Sequence, residues 1–188
     1  MEMFYTGIGS REAPEWATDF ASNIAVALSQ RGYTLRSGRA EGMDYAFQRG
    51  AEYDRPHHPR TKIYIPNDRF NAHYGNKNAI NPKRLSNYED AEDICSTIHP
   101  VFDRLRGFAR DAHVRNVYQV LGSALCEPSE FLLCWAKPKG NDAVHGGTAT
   151  AWELARRNGI PRYNFYNEED QKAFLNDYPE VEKYLGLA

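Results

Sequence analysis

The chain has 188 residues, 41% hydrophobic and 26% charged, with a net charge of −2, enough for one domain of roughly 100–200 residues and short for two. No apolar run approaches the ~20 residues of a spanning helix, Met1-Glu2-Met3-Phe4 leads into a strand rather than a targeting segment, and Cys95, Cys126 and Cys134 are too few and scattered for a disulfide framework or a cysteine-rich zinc site. A single-domain cytoplasmic protein with no membrane segment is expected, with no global attraction to a polyanion but room for a local basic face.

Apolar strand, glycine or polar turn and amphipathic helix alternate along the chain, the pattern of a parallel sheet covered by helices, so the fold class is α/β. Phe4-Tyr5-Thr6-Gly7-Ile8 reads as the first strand. Pro14 begins a helix carrying Trp16, Phe20, Ile24, Ala27 and Leu28 at helical spacing, and Gly32 ends it. Residues 33–36 form a second strand, a helix with Met43, Ala46, Phe47 and Ala51 on its apolar side follows, and residues 62–66 make a third strand. Residues 67–87 are polar, with Asn, Gly, Lys and Pro throughout, which predicts an irregular insertion over the carboxyl ends of the strands, placed to act as a lid. Helical spacing returns over 88–99 and 101–122. Phe131-Leu132-Leu133-Cys134-Trp135 is apolar throughout and reads as a central strand buried on both faces. A helix opens at Gly146-Gly147, residues 161–165 form the last strand, and the acidic, aromatic tail over 168–185 reads as helix packed on the outside.

Three glycine-rich turns follow strands: Gly7-Ile8-Gly9-Ser10-Arg11, Ser37-Gly38-Arg39-Ala40-Glu41-Gly42 and Gly146-Gly147-Thr148. In a doubly wound sheet all three open on one edge, where ligands bind at the switch point. The third turn says most about chemistry, because Thr148 and Thr150 sit in the first turn of its helix and Glu153 follows one turn later. Free N–H groups, close backbone approach and hydroxyl donors suit a phosphate, so a nucleotide is the first ligand to consider; the alternative is a capped turn with a surface glutamate. The first turn lacks the third glycine and the downstream acid of the dinucleotide fingerprint, and no Walker loop is present. Ser10 and Arg11 are placed to touch ribose or phosphate, or else to cap and to be solvated. Asp44 either binds ribose hydroxyls or steadies a helix start. Trp135 and Tyr5 are candidates to stack a base or to fill the core, and His145 directly precedes the phosphate turn. His57 and His58 diverge as sequence neighbours and read as surface loop, so no metal and no cofactor are expected.

A Gly-Ser turn after the first strand, Ser-Gly-x-Ala-x-Gly-x-Asp at residues 37–44, His113-Val114-Arg115-Asn116 and Gly-Gly-Thr followed by Glu153 together resemble the SLOG superfamily over residues 5–164. That group includes the LOG-type phosphoribohydrolases, the DNA-processing protein DprA and small stand-alone members frequent in phages, whose wording this chain resembles most. Residues 146–153 are similar to the LOG motif Gly-Gly-x-Gly-Thr-x-x-Glu, with Ala149 replacing the third glycine, and Arg115-Asn116 resembles the Arg-Asn pair of DprA. Arg39 stands where a second glycine is usual.

The resemblance implies a Rossmann-like, doubly wound domain with a mostly parallel sheet. It also implies a nucleotide site built from Gly9, Ser10, Arg11, Ser37, Gly38, Arg39, Asp44, Asn116, Gly146, Gly147, Thr148 and Thr150, with Arg115 and Glu153 as the catalytic pair. The leading expectation is a hydrolase of the N-glycosidic bond in a nucleoside 5′-monophosphate or a related derivative. The glycine turn would anchor the phosphate, Glu153 would serve the ribose and the attacking water, and Arg115 would bridge substrate and Glu153. Two alternatives stand beside it: a non-catalytic binder of a nucleotide-derived ligand, and a DprA-like single-stranded DNA binder, for which Arg104, Arg106 and Arg110 offer a local basic cluster. A homodimer or higher homo-oligomer is also expected, as in LOG-type relatives. Phe102, Leu105, Phe108, Val114 and Tyr118 look too many for one buried helical stripe, unless the tail covers them.

Overall fold

The structure is a computed structural model, and it describes residues 2–75 and 77–185. In chain order the elements are β1 (Met3–Gly9), α1 (Glu15–Gln30), β2 (Tyr33–Ser37), α2 (Met43–Asp54), β3 (Thr61–Tyr64), β4 (Ala79–Ile80), α3 (Tyr88–Ser96), α4 (Gly107–Leu121), β5 (Phe131–Trp135), β6 (Pro138–Lys139), β7 (Ala143–Val144), α5 (Thr148–Arg157), β8 (Arg162–Asn164), α6 (Glu168–Asp177) and α7 (Pro179–Tyr184). Six strands form one sheet in the order β4-β3-β2-β1-β5-β8, every pairing parallel. The chain builds outward from β1 in one direction through β2, β3 and β4, then returns to the other side of β1 for β5 and β8. This is the α/β, Rossmann-like architecture the alternating pattern implies.

Parallel strands joined by helical crossovers are covered on both faces, and the side chains of β5 show it. Phe131 and Leu133 pack with Tyr5, Leu35, Phe47 and Ile24 beneath α1 and α2, while Leu132 and Cys134 pack with Ile8, Val117, Tyr118 and Ala151 beneath α4 and α5. Helices α6 and α7 join the first layer through Phe174 and Val181, and α3 joins the second through Ala91 and Cys95. Helix α2 lies against α1 backbone to backbone: a Cβ added at Gly50 would sit 2.1 Å from the carbonyl oxygen of Ser22.

Several elements depart from the sequence pattern. The 67–87 segment is not wholly irregular, since its residues Ala79–Ile80 add an edge strand to the sheet and it holds short 3₁₀ turns at Ala72–Tyr74 and Pro82–Arg84. The second helical zone splits, with a 3₁₀ turn at Phe102–Arg104, extended backbone at Leu105 and a fresh helix start at Gly107 (φ +52°). An antiparallel hairpin, β6–β7, stands between β5 and α5 where only a loop is predicted. Trp16 is 52% exposed rather than buried, because it lies in the first turn of α1 beyond the edge of the sheet. The aromatic argument for a second copy also weakens: Phe102, Val114 and Tyr118 are buried within the chain, covered by α3 and α5, while the tail packs on the opposite face.

Gly50→Ala tests the α1–α2 contact. The substitution gains ~1 kcal/mol of helix propensity, but the added carbon must push α2 off the Ser22 carbonyl, and overpacking of this kind costs about 1–3 kcal/mol. A net loss of stability in urea unfolding is the expected result, whereas a gain would show that α2 shifts off the Ser22 carbonyl without cost.

Candidate functional site

The sheet changes direction between β1 and β5, and the loops leaving those two strands part to open a cleft of about 500 Å³ at the carboxyl edge. Its walls come from the β1–α1 loop (Gly9, Ser10, Arg11, Glu12), the start of α2 (Ala40, Asp44), one side of α4 (His113, Arg115, Asn116), Lys137 beyond β5, and the turn His145–Thr148 that enters α5.

Its floor requires close backbone approach. A Cβ at Gly9 would lie 2.7 Å from both Met43 Cβ and the Trp135 carbonyl oxygen, and one at Gly42 (φ +76°) would lie 2.5 Å from the Ser10 carbonyl oxygen. Met43 N–H donates to that same Ser10 oxygen at 3.2 Å, docking the start of α2 on the first turn. Asp44, in the first turn of α2, accepts the Gly9 N–H at Oδ1 (3.0 Å) and faces Arg115 Nη1 at Oδ2 (3.5 Å). Burial pushes the Asp44 carboxyl up, and Arg115 together with the Gly9 N–H pulls it part of the way back. Burial likewise lowers the Arg115 guanidinium, with Asp44 opposing the shift. Arg115 Nη1 also donates to the Tyr64 carbonyl oxygen at 3.5 Å, while its Nε is buried and has no partner. Gly38 makes room for this side chain, since a Cβ there would fall 1.0 Å from Arg115 Nη1. Arg39, beside it, is buried and holds φ +57°, the left-handed conformation that favours glycine.

The opposite wall is the entry to α5. Gly146 has φ +78°, and Cβ atoms added at Gly146 or Gly147 would meet nothing within 4 Å, so the turn faces open space in the cleft. Asn116 Nδ2 donates to the Gly147 carbonyl oxygen at 2.8 Å and so shapes the turn from below. No acidic residue lies in the first turn of α5, and the helix start presents its partial positive charge to the cleft. Arg11 and Lys137 stand exposed on the rim, and neither is in an ion pair among the described residues.

Of the residues singled out by sequence, Gly9, Ser10, Arg11, Asp44, Arg115, Asn116, Gly146, Gly147 and Thr148 line one cleft. Ser37 is buried behind it, its hydroxyl donating to the Gly7 carbonyl oxygen at 2.7 Å; Gly38 makes room for Arg115, and the buried Arg39 is tied to the 67–87 segment by its carbonyl oxygen, which accepts from Asn71 Nδ2 at 2.9 Å. Ser10 Oγ accepts the Glu12 N–H at 3.0 Å, bending the loop that carries Arg11. Thr150 contacts His113 Nδ1 through its hydroxyl at 2.9 Å. Arg115 and Glu153 are not brought together. The Glu153 carboxylate is held by Arg156 and Arg157 at 2.8 Å, one turn further along α5, and hydrogen bonds from Arg156 and then Arg157 hold it down at about 2. The carboxylate that faces Arg115 is Asp44. Tyr5 lies in the core, and His57 and His58 are exposed in a loop. Sequence reasoning passed over Lys137, which sits two residues beyond the central strand, and gave no role to His113.

Among the described residues no group of three or more His, Cys, Asp or Glu converges as metal ligands, and no helix is long and apolar enough to cross a membrane. No protein-family model matches the chain, and no curated protein matches it. Its fold is similar to that of DNA processing protein A from Helicobacter pylori, in a structure describing that protein's single-stranded DNA binding mode. The TM-score is 0.55 and the identity 13%, over 98% of this chain and 79% of that one. At that identity the likeness is one of fold.

His113 packs its ring 4.3 Å from that of His99, and burial, then His99 and Arg115, bring its pKa down to about 4. The unfolded chain takes up this proton near the ordinary histidine value of about 6.5, while the folded chain refuses it until about 4. Stability is therefore lost as pH falls through that window. Thermal unfolding should show a falling midpoint between pH 6.5 and 4, and His113→Gln should flatten that part of the curve.

Proposed function

We propose that this cleft binds a phosphate of a nucleotide unit in single-stranded nucleic acid, and that the protein works by binding rather than by turnover. The observation that carries this reading is the Gly146–Thr148 turn: open toward the cleft, backed by the Asn116 hydrogen bond and joined by the cations Arg11, Lys137 and Arg115 in lining the same cleft. Arg115 has donors to spare, since its contacts with Asp44 and the Tyr64 carbonyl oxygen are long, at 3.5 Å, and its Nε is unpartnered. An anion in the cleft offsets the cost of burying that guanidinium beside a carboxylate pushed toward its neutral form. The likeness of fold to a single-stranded DNA-binding protein supports nucleic acid as the source of the phosphate. Net charge is −2, so attraction would be confined to this rim.

Hydrolysis of a nucleoside monophosphate is the second reading, and the size of the cleft suits one nucleotide. It needs a carboxylate at the ribose. Glu153 does not line the cleft and is engaged with two arginines, and the buried Asp44, which does line it, is held by the Gly9 N–H and Arg115; this supports binding over hydrolysis, with the exposed Glu12 the carboxylate left open to a ribose.

Fluorescence anisotropy with a labelled short oligothymidylate tests the reading. Binding should weaken with salt, by a slope of about −0.7 per phosphate held, and Gly147→Val should abolish it, because the branched side chain fills the approach to the α5 N-terminus. Unchanged affinity in that variant would place the ligand elsewhere. Glu153→Gln should leave binding within a few-fold. In the hydrolytic reading the same change would instead abolish release of free base from a nucleoside monophosphate, as followed by chromatography.

A further inference from the structure

We infer that Trp135 and Tyr166 form a base-stacking platform beside the phosphate cleft, so that the protein prefers an oligonucleotide to a mononucleotide; this rests on the reading above. Trp135 ends β5 between two parts of the cleft. Its carbonyl oxygen accepts the Ser10 N–H at 2.9 Å, and Lys137 follows two residues later. Its side chain falls on the α1 face of the sheet and is partly exposed at the rim. Tyr166 lies just past β8 on the same carboxyl edge, its ring 5.2 Å from that of Trp135 and inclined by 49°.

The platform is rigid underneath and open above. Asn164 clamps the ends of β5 and β8, accepting the Ala136 N–H at 3.0 Å and donating to the Ala136 carbonyl oxygen at 2.7 Å; it also accepts the Tyr166 N–H at 3.2 Å. The backbone carrying both rings is thus fixed by one buried amide, yet Tyr166 remains 44% exposed. The core draws little from that ring, and the Trp135 indole N–H is buried with no acceptor. A rigid, half-open aromatic pair next to a cation-rimmed phosphate turn has the two parts that single-strand binding needs: a positive track for the backbone and a sequence-tolerant face for the base. A mononucleotide whose phosphate sits at Gly147 engages the cleft alone, whereas a strand continuing over the Ser10–Arg11 loop reaches the rings.

The test compares oligothymidylate with thymidine monophosphate on wild type, Tyr166→Ala and Tyr53→Ala. Tyr53 is 81% exposed but lies in the last turn of α2, at the opposite edge of the sheet, and serves as the control. Tyr166→Ala is expected to weaken the oligonucleotide roughly tenfold, to leave the monophosphate within about twofold and to keep the wild-type melting temperature; Tyr53→Ala should change neither affinity. In the unmodified protein, oligonucleotide should quench tryptophan emission, and Trp135→Phe should remove most of that quenching. A wild type that binds the oligonucleotide while Tyr166→Ala binds it equally well, or quenching that survives Trp135→Phe, overturns the platform and leaves the phosphate site standing. A wild type that binds neither ligand overturns the phosphate site itself.

Discussion

Asp44 accepts the Gly9 N–H with one oxygen and faces Arg115 with the other, and through these two contacts β1, α2 and α4 meet under the cleft. Both groups are almost wholly buried, and burial disfavours the charged form of each, which is why the carboxyl is pushed up and the guanidinium down. Such a pair adds little net stability over an apolar one, but removing one partner strands the other at a cost of about 3–5 kcal/mol. The arrangement is therefore committed to both residues. It leaves Arg115 with an unpartnered Nε at the bottom of a space that opens to solvent.

Close approach makes this geometry possible. Gly9 and Gly42 let the β1–α1 loop, the start of α2 and the end of β5 come within van der Waals distance, and Gly38 yields its side-chain volume to the Arg115 guanidinium. Arg39, held in the left-handed region, stores about 1–3 kcal/mol of backbone strain. Asn116 ties the entry of α5 to the frame through the Gly147 carbonyl oxygen, and the buried Asn164 does the same for the end of β5 through the Ala136 carbonyl oxygen. The floor is thus built from buried, hydrogen-bonded groups, while Arg11, Lys137, His145 and Tyr166 stand exposed around it.

The alternation of apolar strands with amphipathic helices made the fold class legible, and the fully apolar 131–135 run marked the strand buried on both faces. The glycine turns after β1, after β2 and before α5 marked the edge where the cleft lies. Short elements were not legible: β4 and the β6–β7 hairpin are two-residue strands, too short for periodicity, and exist because neighbouring backbone offers hydrogen bonds. Trp16 has helical spacing but no sheet beneath it, since periodicity reports a face and not how far the layer beneath extends.

The same division holds at the site. Residue types and turn spacing marked a glycine-opened helix start and put Arg115 and Asp44 among the residues that line one cleft with it, because glycine turns and helix starts are local properties. The partner of Arg115 was decided only by the tertiary structure. The resemblance to LOG-type enzymes pairs Arg115 with Glu153, whereas the packed fold puts Asp44 across from Arg115 and leaves Glu153 one helical turn from Arg156 and Arg157, whose charges claim it. Trp135 and Tyr166 meet for a similar reason: β5 and β8 are neighbours in the sheet though far apart in sequence. Electrostatic pairing follows distance in space, which the chain acquires only when its layers close.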